Sequence, residues 1–340
     1  MLNIIYDQFC ELLNPILEKT LYNNIIIYGA NRGGEFIKWY YQHYFKKRIE
    51  VIIDRWAISP ISTIPHLFTL YYIYNENDVI INITPHNIRE EFEDTGENWN
   101  RVQYRDSQII NLWDIIYGEG GGIIQKELQV TFYDWLEFKF GVDLLNTIKR
   151  KYVTGEGAHG YYPTDFRVFI DGLEGHQISE EDAVLDIGCG KGSSIIAFHV
   201  MGFNKIGAVE YTDSIYKILD DNLNKLSVKH QNNLVGEYFD DIQNEIILYQ
   251  GDASILKKEL DRYNYFFLFN PFSWEITETV IQNICESIDR RQRKVYILYA
   301  EPIGHQLIMK TNRFMLKKSI CNDYSEATYF SYLYESINKS

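Results

Sequence analysis

Twice in this chain a short run of apolar, largely β-branched residues breaks on glycine and resumes as a helix. The first is IIIYGANRGG, residues 25–34; the second is VLDIGCGKGSS, residues 184–194. A strand that turns on glycine into a helix is the opening unit of an open parallel α/β sheet, because bare backbone lets the helix N-terminus sit close over the strand end. Two such units far apart predict an α/β protein with two doubly wound, Rossmann-like domains. A length of 340 residues is also too great for one average domain.

The clearest break between them is Gly118-Glu119-Gly120-Gly121-Gly122. It divides the chain into a Rossmann-like domain at 1–118, a linker and helical connector at 119–150, and a second domain at 151–340. In the first domain, Ile4, Ile5, Phe9, Leu12, Leu13 and Leu17 lie at helical spacing and predict an amphipathic helix over residues 1–22. Strands follow at 25–28, 50–54 and 78–83, with a helix over 34–45 and an irregular stretch around Pro60 and Pro65. Residues 125–151 read mostly as helix.

Charge and composition exclude several functions. Forty-seven acidic against 33 basic residues leave a net charge of −14, which repels a phosphate backbone. The basic clusters (46–48, 149–151, 290–294) are short and scattered, so nucleic acid is not expected as a partner. The 27 tyrosines suit half-buried positions better than a dedicated sugar or peptide pocket. Cys10, Cys189, Cys285 and Cys321 show no CxxC or Cys/His spacing, so no metal and no disulfide framework is expected. The first residues lack a basic n-region and no apolar run reaches membrane-spanning length, so a cytoplasmic protein is expected.

The second glycine turn carries more chemistry. Asp186 lies in the short buried strand 184–187, just before the turn of Gly188, Gly190 and Gly192, where it suits the amino group of a bound amino-acid moiety. The next strand, 205–209, ends in Glu210, an acid placed for ribose hydroxyls. A third strand, 246–250, runs into Gly251-Asp252-Ala253, and Asp252 suits an adenine amine. A fourth, 265–269, is almost wholly apolar and so central in its sheet; it ends in Asn270-Pro271-Phe272.

With these four elements in this order, residues 160–320 resemble the class I S-adenosylmethionine-dependent methyltransferases. The resemblance implies S-adenosyl-L-methionine as cofactor. Gly188, Gly190 and Gly192 would then pack on its methionine and ribose, and Asp186 would lie near its amino group. Glu210 would take the ribose, Asp252 and Ala253 the adenine, and Asn270 would sit beside the sulfonium. Gly160-Tyr161-Tyr162-Pro163-Thr164 looks like the upstream lid of bacterial members, which implies cofactor contacts for Tyr162 and Thr164. A lid over 154–164 that orders on cofactor binding is expected. Ala300-Glu301-Pro302 departs from the Tyr-Asn-Pro often found at that strand, leaving the role of that asparagine open. Candidate bases near the mouth are Glu301 and His159, with Asn270 as an orienting group. His159 and His305 also read as ordinary solvated or satisfied histidines.

In the first turn, Asn31 stands where a dinucleotide fold needs its middle glycine, and Arg32 adds bulk, although Asp54 occupies the ribose position. This domain is expected to bind no dinucleotide and instead to hold a substrate group or build a homodimer. The leading functional expectation is methyl transfer to a small molecule or glycan precursor, at oxygen or nitrogen. The alternatives are a protein or peptide side chain, an adenine-N6 acceptor (Asn270-Pro271-Phe272 lacks the second proline of that signature), or a non-catalytic nucleotide-binding protein.

Overall fold

The computed structural model describes residues 2–29, 32–49, 51–54, 63–65, 77–85, 109–118, 129–149, 160–236, 246–322 and 329–337, with only the backbone path given at 51–54 and 63–65. The chain divides into two compact units. One is built mainly from Ile5–Lys139, the other from Phe140–Asp323 and Ala327–Ser340. The break falls between Lys139 and Phe140. No described helix is long and apolar enough to cross a membrane.

The first unit holds a five-stranded, wholly parallel sheet in the order β3-β2-β1-β4-β5, from β1 (Asn24–Tyr28), β2 (Val51–Asp54), β3 (Thr63–Pro65), β4 (Asp78–Asn82) and β5 (Ile109–Asn111). Ile25, Ile26 and Ile27 are buried on both faces, as a central parallel strand requires. β3 was not anticipated, because its few residues lie in a Pro-containing stretch with no alternation to read. Helix α1 (Leu2–Leu17) is followed by a 3₁₀ turn at Glu18–Thr20, so it is shorter than expected. Ile5, Phe9, Leu13 and Leu17 face the core as the spacing predicts, whereas Ile4 is exposed. Helix α2 (Arg32–Phe45) starts beside β1, and α3 (Leu112–Tyr117) follows β5.

Only Phe132–Phe140 (α4) is helical among the described residues of 125–151. Gly141 ends it at φ 66°, a left-handed stop that glycine makes without strain. Phe132 and Trp135 of α4 pack on Phe9 at ring-centre distances of 5.4 Å each, and Phe36 lies 6.0 Å from Phe9. The rings gathered around Phe9 are therefore core packing, where each fully buried ring contributes about 1.5–3 kcal/mol.

The second unit holds eight strands in the order β12-β13-β11-β10-β6-β7-β9-β8. They are β6 (Ala183–Ile187), β7 (Lys205–Glu210), β8 (Gln231–Leu234), β9 (Ile246–Gln250), β10 (Tyr265–Phe269), β11 (Tyr296–Ala300), β12 (Phe314–Asn322) and β13 (Tyr329–Ser336). β6 to β11 pair in parallel, and β13 inserts antiparallel between β11 and β12. The helices are α5 (Phe166–Gly172), α6 (Ser193–Val200), α7 (Asp213–Lys225), α8 (Trp274–Arg290) and α9 (His305–Lys310). β10 lies between β6 and β11 with its apolar run buried, as expected for a central strand. The chain leaves β6 toward β7 on one side and leaves β10 toward β11 on the other. The carboxyl ends of β6 and β10 therefore flank a topological switch point, where open α/β sheets take their ligands.

Candidate functional site

The loops after β6 and β10 meet at this switch point. A Cβ on Gly188 would lie 2.5 Å from Cβ of Pro271, so only a glycine there lets the two loops close on each other. The neighbouring glycines are also demanded by the protein itself. A Cβ on Gly190 would enter the Tyr161 ring at 2.3 Å, and one on Gly192 would strike Leu219 at 2.5 Å. Their presence alone therefore points to no ligand, and the weight falls on the carboxylates.

Asp186 is 2% exposed. Its Oδ2 accepts the Ser194 hydroxyl at the start of α6, while its Oδ1 is buried and finds no hydrogen-bond partner among the described residues. Burial, reinforced by the nearby Glu210 charge and opposed by the Ser194 bond, pushes its carboxyl up to about 7. A buried carboxylate oxygen left unbonded costs roughly 1–3 kcal/mol. An ammonium group brought to it would remove that cost.

Glu210, at the carboxyl end of β7, is also buried. It accepts one backbone amide on each oxygen, Gly190 N at 3.0 Å and Thr212 N at 2.8 Å. Burial raises its carboxyl and the two amides pull it back. The acid therefore staples the glycine turn to the end of β7. Asp252 is half-buried and caps the short helix Ala253–Ile255 through the Ser254 amide at 2.8 Å. Ala253 is buried beside it.

On the other side of the crevice, Asn270 and Glu301 are both left-handed, at φ 37° and 48°. Phe269 and Ala300 are register partners, so these two residues leave adjacent strands side by side. Non-glycine residues held in that region cost about 1–3 kcal/mol each and concentrate at functional sites. Glu301 is exposed and Asn270 half-buried. Tyr162 is exposed and Thr164 buried. His159 and residues 154–158 of the expected lid lie outside the described residues. His305 is a satisfied histidine, stacked on Tyr334 and bonded to its hydroxyl at 2.8 Å. Among the described residues, no group of His, Cys, Asp or Glu is placed to share a metal ion.

The structure adds residues that sequence reasoning missed. Lys191, inside the glycine turn, is 1% exposed and donates to both oxygens of Asp143 at 2.7 Å and to the carbonyl of Asn146 at 2.9 Å. Asn222 of α7 ties the Asp143 carbonyl and the Lys191 carbonyl together at 2.8 and 3.0 Å. Tyr161 exchanges backbone bonds with Ile148 at 2.9 and 2.8 Å, and its hydroxyl donates to the Leu144 carbonyl at 2.5 Å. Residues 142–148 thus form a strap that seats the Tyr161 ring over Gly190. The only sequence signal was a lysine in a turn otherwise made of small residues.

The first unit repeats the crevice and then fills it. A Cβ on Gly34 would lie 2.0 Å from the Gly29 carbonyl oxygen, so the start of α2 packs directly on the turn. The Gly33 amide donates to the Gln129 side-chain oxygen at 3.0 Å, and Arg32 holds both oxygens of Asp134 at 2.7 and 2.9 Å. Asp134, 1% exposed, also takes the Gln129 amide at 3.0 Å and the Thr131 hydroxyl. Among the described donors at this helix start, the Gly33 amide and the Arg32 Nη2 are thus already bonded within the unit. Asn31 lies outside the described residues.

No family model matches this chain, and no curated protein matches it. Among solved structures, a ribosomal protein L11 methylase from Lactobacillus delbrueckii subsp. bulgaricus aligns at 15% identity over 55% of this chain and 84% of its own, with a TM-score of 0.37. An Aeropyrum pernix fibrillarin with natively bound S-adenosyl-L-methionine aligns at 13% identity over 50% of this chain and 76% of its own, with a TM-score of 0.35. Likenesses this faint carry no functional weight.

Proposed function

We propose that the C-terminal unit binds S-adenosyl-L-methionine and transfers its methyl group to a small-molecule acceptor. The observation that carries this reading is Asp186, buried at a switch-point crevice with one carboxylate oxygen unbonded among the described residues. The sequence order of Asp186, Glu210, Asp252 and Asn270 supports it independently.

The cofactor, when bound, supplies an electrophilic methyl on a sulfonium and leaves as a neutral thioether. The chain's own residues have three tasks. Asp186 takes the ammonium of the methionine moiety, and Glu210 accepts from the ribose hydroxyls. Asp252 and Ala253 face the adenine, with Tyr162 and Thr164 at the methionine end. Asn270 and Glu301, side by side across the crevice, orient the acceptor. Such alignment of reactants is worth roughly 7–11 kcal/mol. For a hydroxyl acceptor, Glu301 is the best-placed described proton acceptor, a contribution of about 10²–10⁴ in rate.

Titration calorimetry of the full chain with S-adenosylhomocysteine tests the reading. A dissociation constant on the micromolar scale is expected, and silence from well-folded protein would overturn it.

A further inference from the structure

The carboxyl edge of the C-terminal sheet carries an unusual share of exposed apolar side chains, and the part over β10, β11 and β13 has a distinct chemistry. Trp274 opens α8 and is 44% exposed; Ile303 follows β11 at 63%; Phe330 begins β13 at 50%. The three segments are joined. The Glu301 amide donates to the Phe330 carbonyl at 2.9 Å, and the Ile303 amide to the Glu301 carbonyl at 2.7 Å. A Cβ on Gly304 would lie 2.9 Å from Thr277 Cγ2, which places the first turn of α8 against the Ile303–Gly304 turn. Phe330 also ends an aromatic ladder with Tyr332 at 6.5 Å, whose ring meets His305 at 5.2 Å.

Exposed large apolar groups are ordinary when scattered, but grouped at a ligand-binding edge they mark a contact surface. The charge here is of one sign. Residues 270–278, 300–306 and 329–332 include Glu275, Glu278 and Glu301 and no lysine or arginine. The nearby Lys310 pairs with Glu278 at 4.0 Å. Among these described residues a phosphorylated acceptor would meet carboxylates and no lysine or arginine. For an amine these segments offer an exposed carboxylate, Glu301, and an exposed tryptophan, Trp274, the aromatic ring best suited to a cation.

We propose that the shelf formed by Trp274, Ile303 and Phe330 around Glu301 receives a small apolar acceptor carrying an amine, rather than a sugar phosphate. The inference rests on the methyl-transfer reading and names the acceptor class of that same site.

The test uses the full chain saturated with S-adenosylhomocysteine and three aromatic probes that differ chiefly in their polar group: phenethylamine, 2-phenylethanol and phenyl phosphate. Ligand-observed NMR titration is expected to rank phenethylamine tightest, 2-phenylethanol weaker and phenyl phosphate without detectable binding. Glu301→Gln should weaken phenethylamine about threefold, the scale of an exposed ion pair, and weaken the uncharged 2-phenylethanol less. Trp274→Ala should weaken phenethylamine by about two- to fivefold. Phenyl phosphate binding as tightly as the amine would overturn the inference, as would an unchanged phenethylamine affinity in the Trp274→Ala/Glu301→Gln protein. Binding of a lysine-containing peptide in place of phenethylamine would indicate a protein acceptor and overturn it too. Failure of S-adenosylhomocysteine itself to bind would sink the methyl-transfer reading; its binding without the amine would sink only the acceptor class.

Discussion

Asp186 is held near neutrality by burial, so its protonation couples to both folding and binding. In the unfolded chain its carboxyl returns to about 3.9. Between about pH 4 and pH 7 the unfolded chain has lost this proton while the folded chain retains it, so Asp186 erodes the stability of the ligand-free protein across that window and no further above it. An ammonium beside Oδ1 favours the carboxylate, so binding below the folded value must expel a proton. S-adenosylhomocysteine affinity should therefore fall up to about tenfold for each pH unit below about 7 and level off above it. Calorimetry in buffers of different ionisation enthalpy should find about one proton released near pH 6 and almost none near pH 8. A flat affinity across this range would remove Asp186 from the site. Glu210 has a double duty, since its oxygens hold the Gly190 and Thr212 amides. Glu210→Ala should lower S-adenosylhomocysteine affinity and chemical-denaturation stability together, each by about 1.5–3 kcal/mol. A loss confined to stability would mean that the ribose is held elsewhere.

At the scale of elements, the strap at 142–148 decides the shape of the glycine turn. Its anchor is the Lys191–Asp143 pair, in which the lysine is buried and the carboxylate is partly open to solvent. Asp143→Ala leaves the ammonium with only the Asn146 carbonyl among its described acceptors. The variant should lose roughly 1–3 kcal/mol of stability, a range set by hydrogen bonds to a charged group and reduced by the exposure of Asp143. Urea unfolding measures this, and an unchanged midpoint would show that the strap is seated by the Tyr161 bonds alone. The described part of the expected lid already has one fixed point. Tyr161 is buried and tied to Leu144 and Ile148, while Tyr162 beside it is exposed. A closing motion can therefore include Tyr162 but must leave the Tyr161 ring over Gly190.

At the scale of the whole molecule, a wholly parallel sheet and a mostly parallel one carry one kind of crevice and treat it differently. In the first unit the Gly33 amide and the Arg32 guanidinium are bonded to Gln129 and Asp134. A pyrophosphate at this helix start would have to displace a buried carboxylate held by its own arginine. Neither NAD nor NADP should bind the full chain usefully, and a low-micromolar dissociation constant in a fluorescence titration would overturn this.

The two glycine turns, the strands at 246–250 and 265–269 and the acids at 186, 210 and 252 were legible from residue order alone. Each is a local signal: an apolar run, a glycine that a turn requires, a carboxylate one step beyond a strand. The same locality explains the misreadings. Residues 125–151 show enough apolar spacing to read as helix, but Gly141 stops α4, and the chain beyond it is held by Asn222 and Lys191. The edge strand β8 and the antiparallel insertion of β13 between β11 and β12 follow from which edges remain to be covered. Tertiary structure alone decided which glycines face side chains of the protein and that Arg32 reaches Asp134 across the first unit. It also brought Asn270 and Glu301 side by side and left one oxygen of Asp186 unbonded among the described residues. Such partners are set by how crossovers return strands to a sheet and by which polar groups burial forces to find each other, and neither is written in the spacing of neighbouring residues.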